Sequence, residues 1–262
     1  MWDPIGSLRV SSRLLRMAGS TFAETQRLRL AARLGDGCPH TAVRRGHAWA
    51  RRVVRGLGVE LEVHGRPPKE RVLLLANHRS YIDIPVLLSQ VPCAFLAKAE
   101  IGEWPLFGTA ARLQHTVFVK RECKDSRRAS RAAALERLRQ GLTFAAFPEG
   151  TTTRGPGTLP FFPGLFQLAA EHGVPVVPVA IEYADADDAW VDDDPFLGHF
   201  LTAFRKPRVE AFVSFGPLLH PAEVKDLRGE TERWIRSRLA AARATVPALA
   251  LRPGTRPQLG TA

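Results

Sequence analysis

Val72-Leu73-Leu74-Leu75-Ala76 is an aliphatic run without polar alternation, and it ends at Asn77. Such a run predicts a strand buried on both faces. Further strand-like stretches lie at Leu61–His64, Cys93–Ala97, Thr116–Val119, Thr143–Phe147, Val174–Ile181 and Val209–Phe215. Helical stretches lie between them. Ser126–Gln140 is rich in helix formers and meets Gly141, a stop signal, and Leu165–His172 meets Gly173 in the same way. Glu223–Thr245 reads as a closing helix with Gly229 a weak point inside it. Strand, turn and helix in alternation predict an α/β domain with helices on the faces of a sheet.

Residues 1–60 follow a different rhythm. Ile5, Leu8, Leu14, Leu15, Phe22, Leu28 and Leu30 are interleaved with Arg9, Arg13, Arg16, Arg27 and Arg29. That spacing predicts basic amphipathic helices. They suit a membrane surface or a docking surface, and equally a helix packed on the domain with its arginines in water. The tail from Pro247 is rich in Pro, Gly and Thr and is expected to be disordered. The expected organisation is a basic helical segment over 1–60, a catalytic-size domain over 61–246 and a tail over 247–262.

Composition narrows the partners. The 262 residues are 45% hydrophobic and carry a formal net charge of +11. The first sixty hold eleven Arg against four acidic residues, so about +7 of that charge sits there. A balance this basic suits an anionic partner: nucleic acid, an anionic membrane or a phosphorylated substrate. Cys38, Cys93 and Cys123 show no paired spacing, which argues against a disulfide framework or a zinc site. No stretch is long and apolar enough for a spanning helix, and the start lacks the order of a secretory signal. Asp185–Asp194 holds six aspartates and reads as a solvated loop, its spacing fitting no calcium loop.

The chemistry gathers where strands end. Asn77-His78-Arg79-Ser80-Tyr81-Ile82-Asp83 follows the buried run directly, and open α/β sheets place ligands at strand C-termini. A histidine there can serve as a general base, and an aspartate five residues on can fold back to hold its second ring nitrogen. Phe147-Pro148-Glu149-Gly150-Thr151 also follows a strand, in a turn whose N–H groups suit an oxyanion or phosphate, with Arg154 close by. Thr116-Val117-Phe118-Val119-Lys120-Arg121 brings two cations to a third strand end. Taken singly, each of the last two segments also reads as a plain solvated turn. A base with converging cations points to a hydroxyl acceptor bearing anionic groups.

From about Arg71 to Pro217 the sequence resembles the glycerolipid acyltransferases, in particular bacterial 1-acyl-glycerol-3-phosphate acyltransferases and their lysophospholipid relatives. Four blocks carry the resemblance in order. His78 and Asp83 look like the HxxxxD block. Lys98-Ala99-Glu100-Ile101-Gly102, Trp104-Pro105-Leu106-Phe107-Gly108 and Val119-Lys120-Arg121 resemble the second. Phe147-Pro148-Glu149-Gly150-Thr151 resembles the third and Val174-Pro175-Val176-Val177-Pro178-Val179 the fourth.

The resemblance implies a single α/β acyltransferase domain with a mixed central sheet flanked by helices. It implies that His78 deprotonates the acceptor hydroxyl for attack on an acyl-CoA or acyl carrier protein thioester, with Asp83 orienting it and no acyl-enzyme formed. Arg121, Glu149, Gly150 and Thr151 are then expected at the acceptor's head group, Lys98 near the oxyanion and Pro178 at a lipid pocket. The N-terminal helices are expected to lie monotopically in one leaflet, at the cytoplasmic face. No cofactor, metal or nucleic acid is expected.

One departure concerns the acceptor. Phosphatidate-forming members usually carry Arg directly after Glu-Gly-Thr; here Thr152 stands in that place and Arg154 follows two later. The expected acceptor is 1-acyl-sn-glycerol-3-phosphate, giving phosphatidic acid in phospholipid biosynthesis. The alternatives are another lysolipid such as lyso-ornithine lipid, or a catalytically idle membrane- or nucleic-acid-binding module. A GxSxG elbow, a P-loop and a GxGxxG turn are all missing from the sequence, which sets aside hydrolase and nucleotide-dependent readings.

Overall fold

The computed structural model describes residues 3–191, 194–222 and 226–245. The tail expected beyond Pro247 lies outside the described residues, as does the start of the closing helix at Glu223.

Seven strands form the sheet: β1 (Val59–His64), β2 (Leu73–Ala76), β3 (Cys93–Lys98), β4 (Val117–Val119), β5 (Thr143–Ala146), β6 (Val176–Tyr183) and β7 (Val209–Phe215). Their order is β1-β7-β6-β2-β5-β3-β4. Among the described residues β6 and β7 pair antiparallel and the other neighbours pair parallel, so the sheet is mixed as expected. β2 lies in the middle, which explains its apolar run: the period of two sends its residues into two separate cores. Leu74 and Ala76 face one core, with Val86 and Leu87. Leu73 and Leu75 face the other, with Leu138, Leu168 and Ile235.

Helices cover both faces. On the first lie α1 (Pro4–Arg33), α2 (Pro39–Leu57), α3 (Asp83–Gln90) and α7 (Phe196–Ala203). On the second lie α5 (Lys124–Arg139), α6 (Gly164–His172) and α8 (Leu227–Thr245). The short α4 (Phe107–Leu113) precedes β4. The predicted stop after α6 is real: Gly173 takes φ 61° and ends the helix in the left-handed region. α3, α4 and α7 were not legible as helices, because seven or eight residues give too few turns for a periodicity to show. Gly229, read as a weak point inside the closing helix, stands instead in the first turn of α8, where its N–H donates to Asp226 Oδ1 at 3.0 Å.

The basic N-terminal segment is two helices packed on the domain. α2 sends Ala50, Val53, Val54 and Leu57 into the first core. α1 is anchored by charge as well as by Val10 and Met17. Buried Arg13 donates to the carbonyls of Phe204 (3.0 Å), Lys206 (2.7 Å) and Pro207 (2.6 Å). Buried Glu24 accepts from Arg45 at 2.8 Å and Arg52 at 3.0 Å, tying α1 to α2. The opposite side of α1 is apolar and uncovered: Ile5, Leu8, Leu15, Phe22 and Leu30 are each 56–74% exposed.

Candidate active site

β6, β2, β5, β3 and β4 run parallel in adjacent order, so their C-termini share one edge of the sheet. The predicted chemistry collects there.

At the end of β2 the chain turns and enters α3 at Asp83. His78 Nδ1–H donates to Asp83 Oδ2 at 2.7 Å, the pairing the sequence predicted. The same oxygen accepts from the backbone N–H of Arg79 (2.6 Å) and Ser80 (3.0 Å), and Oδ1 accepts from the Tyr183 hydroxyl at 2.6 Å. Asp83 is wholly buried and stands at the first residue of a helix, where the helix dipole favours an anion. With Nδ1–H committed to Asp83, the tautomer leaves Nε2 as an acceptor. Among the described residues Nε2 makes no hydrogen bond, and the His78 side chain is 14% exposed.

The turn after β2 is held by the last three residues of β6. Asn77 exchanges two 2.8 Å hydrogen bonds with the backbone of Ile181, extending the β2–β6 pairing by a side chain. Buried Arg79 donates to Glu182 Oε2 at 3.2 Å, and Tyr183 holds Asp83. Glu182 Oε2 also accepts from Arg243 of α8 at 2.8 Å. Arg79 and Arg243 reach the next loop as well, donating to the carbonyls of Thr153 and Gly155, each at 3.0 Å. The closing helix is thereby tied to the turn that carries His78.

The loop after β5 supports His78 from the other side. Phe147 stacks on the imidazole with centroids 3.9 Å apart. Glu149, expected at the head group, turns inward instead. Its Oε1 accepts from the His78 N–H and its Oε2 from the Leu159 N–H, both at 2.7 Å, and it is 3% exposed. Burial pushes its carboxyl above the usual range, and the two backbone donors oppose that push. The His78 carbonyl accepts from Thr153 N–H at 3.0 Å, so the histidine backbone is fixed at both its N–H and its C=O. Gly150 takes φ 74°, with the Phe162 ring against it where a Cβ would stand, so only glycine makes this turn without strain. Thr151 beside it is exposed.

The cations fall further along the edge. Lys98 closes β3 with its ammonium 3.4 Å from Glu100. Arg121, half-buried, follows β4; burial works against its charge, and Glu100 and Glu122 support it. β4 is three strands from β2, which sets Arg121 about 14 Å along the edge from His78 at ordinary strand spacing. Arg154 donates to the Ala189 carbonyl at 3.2 Å and lies 3.6 Å from Asp194. Pro178 is not brought to the site. It pairs with Leu75 in mid-sheet, where its carbonyl accepts from Gly216 N–H at 2.9 Å.

The described part of the aspartate-rich stretch, 185–191, is not free in solvent. Its Trp190 N–H donates to the Arg79 carbonyl at 2.9 Å, and Asp185 and Asp188 share Lys206. Tyr81, Trp190, Phe196 and Trp104 form an aromatic wall beside the turn. Sequence reasoning missed Tyr183, Glu182 and Arg243. A charged Glu182 inside an aliphatic strand was the one available sign, since a carboxylate there requires a partner.

The chain has relatives of known name. The family model for Acyltransferase matches residues 60–182. A lyso-ornithine lipid O-acyltransferase of Pseudomonas aeruginosa is 38% identical over 191 residues, covering 71% of this chain and 72% of the relative. A 1-acyl-sn-glycerol-3-phosphate acyltransferase of Neisseria meningitidis serogroup B is 37% identical over 176 residues, covering 66% and 68%. The crystal structure of the 1-acyl-sn-glycerophosphate (LPA) acyltransferase PlsC from Thermotoga maritima shares the fold, with a TM-score of 0.59 at 23% identity over 88% of this chain and 98% of that one. A histidine–aspartate pair on a shared strand edge and kinship over more than two thirds of these relatives lead to one assignment: the chain belongs to the acyltransferase family and is an O-acyltransferase.

Proposed function

We propose that the protein moves a fatty acyl group from a thioester, acyl-CoA or acyl carrier protein, to the free hydroxyl of a lysolipid. The observation that carries this is the His78–Asp83 hydrogen bond, which leaves Nε2 as an open base at a strand end. Nε2 takes the hydroxyl proton as the acceptor oxygen attacks the thioester carbonyl. The tetrahedral intermediate then collapses, the C–S bond breaks, and the imidazolium returns the proton to the leaving thiolate. Buried Asp83 supports the imidazolium between these steps. No side-chain nucleophile is needed.

The first acceptor reading is 1-acyl-sn-glycerol-3-phosphate, with Arg121 as the phosphate partner at the far end of the edge. A second reading is favoured by a specific observation: Thr152 replaces the usual arginine, and Arg154 is engaged by Ala189 and Asp194. That arrangement suits another lysolipid such as lyso-ornithine lipid. A thiol-release assay with both acceptors side by side decides. Faster turnover of lysophosphatidic acid supports the first reading, and faster turnover of the ornithine lipid requires Arg121 and Arg154 to be reassigned.

The protein would work lying on a membrane, at its cytoplasmic face. No described helix is long and apolar enough to cross one. The uncovered stripe of α1 is opposite the face packed on the domain and is flanked by Arg9, Arg16 and Arg27, as an interfacial helix requires. Leu197 and Leu201 of α7 are exposed as well, and the residues that follow α7, 204–207, are tied to α1 by Arg9 and Arg13.

A further inference from the structure

Tyr183 ends β6 outside all four sequence blocks, and its hydroxyl reaches the carboxylate that orients the base. A carboxylate offers about four acceptor sites. Asp83 Oδ2 takes three donors, from His78, Arg79 and Ser80. Tyr183 is the partner of Oδ1 among the described residues, at 2.6 Å. Both side chains are shut off from solvent, Asp83 at 0% and Tyr183 at 1% exposure. Without the hydroxyl, water has no path to replace it, and Oδ1 becomes a bare buried acceptor.

We propose that Tyr183 is a positioning residue for proton transfer, acting on His78 through Asp83. Its hydroxyl locks the carboxylate rotation so that Oδ2 faces the imidazole. It also draws charge toward Oδ1, which weakens the hold of Asp83 on the imidazolium. The hydroxyl keeps its own proton throughout: burial, reinforced by the charge of Asp83, pushes the phenol well above its usual range. Other charged groups face the pair but leave Oδ1 alone. Glu149 holds the His78 N–H, Arg79 turns to Glu182, and Asp188 acts on Tyr183 and Tyr81 through space. This inference rests on His78 as the base.

The test is kcat/KM against pH by thiol release, with a vesicle-borne lysolipid. Tyr183→Phe keeps the ring and removes the hydroxyl. It is expected to lower kcat roughly tenfold, the effect of losing one hydrogen bond to a charged group, with KM close to wild type. The acid limb, which reports deprotonation of the base, moves to higher pH. The chain has two tyrosines, so in Tyr81→Phe protein grown with 3-fluorotyrosine the label sits at position 183 alone. The fluorinated phenol is a stronger donor, and the acid limb moves to lower pH than in unlabelled Tyr81→Phe. Opposite shifts support the proposal. An unmoved limb in the labelled protein overturns it, even if Tyr183→Phe fails to fold. A His78→Ala enzyme that stays active overturns the underlying reading instead, so the two failures are distinguishable.

Discussion

The Phe147 ring lies flat on the His78 imidazole, with centroids 3.9 Å apart and planes 8° from parallel. A stacked ring leaves the imidazole free to move in its own plane but not to tip out of it. Together with the Asp83 bond this fixes the direction in which Nε2 points. Phe147→Leu keeps most of the volume and loses the stacking. The expected result is a kcat/KM loss of about 2- to 12-fold, corresponding to the ~0.5–1.5 kcal/mol of an aromatic pair, with little change in melting temperature. Wild-type activity in that variant would show the stacking to be incidental.

On the proposed reading Glu149 supports the backbone of His78 rather than binding the lysolipid. A carboxylate inside a phosphate site would repel its ligand, whereas here both oxygens accept backbone N–H groups. Glu149→Gln retains one acceptor and faces the other N–H with an amide donor. It is expected to cost about 1–3 kcal/mol of stability, read as a lower denaturant midpoint, with a parallel loss of kcat. A variant of full stability whose KM for the lysolipid alone rises would restore the head-group role.

Arg243 ties the last turns of α8 to Glu182 and to the Gly155 carbonyl. Arg243→Ala leaves Glu182 with Arg79 as its cation and loosens the loop that carries Thr153. The expected stability loss is up to ~3 kcal/mol, less than for a fully dry pair because Arg243 is a quarter exposed. Activity should fall although the residue touches no substrate, and unchanged thermal unfolding would contradict the tie.

The outer stripe of α1 is separable from its packed face. Leu8, Leu15 and Phe22 are exposed and touch no core. Burying such side chains in lipid is worth about 1.5–3 kcal/mol each. Replacing all three with Ser should cut vesicle binding by at least ~100-fold while leaving the melting temperature near wild type. Unchanged vesicle binding would reject the membrane-facing stripe.

Much of the site was legible because it is local. His78 and Asp83 are five residues apart, and the strand before them declares itself by its aliphatic run. Lys120 and Arg121 were placed at a strand end, and the structure sets them directly after β4. The supports were hidden because they are distant in sequence. Asp83 and Tyr183 lie 100 residues apart, and no spacing rule links the end of β2 to the end of β6. Pro178 belonged to a recognisable block, yet that block lies largely in the buried body of β6, and the residues that hold the turn are the last three of the strand, Ile181, Glu182 and Tyr183. Glu149 was placed at the head group by the resemblance of its block, and only the fold shows which way it faces.

The central claim is that His78 is the base for acyl transfer to a lysolipid hydroxyl. The most direct measurement is thiol release from an acyl-CoA with lysolipid vesicles, comparing wild type and His78→Ala at matched thermal stability. A general base contributes roughly 10²–10⁴-fold, so the variant should lose at least about a hundredfold in kcat while melting as the wild type does. A folded His78→Ala protein that keeps more than about a tenth of the activity would contradict the account.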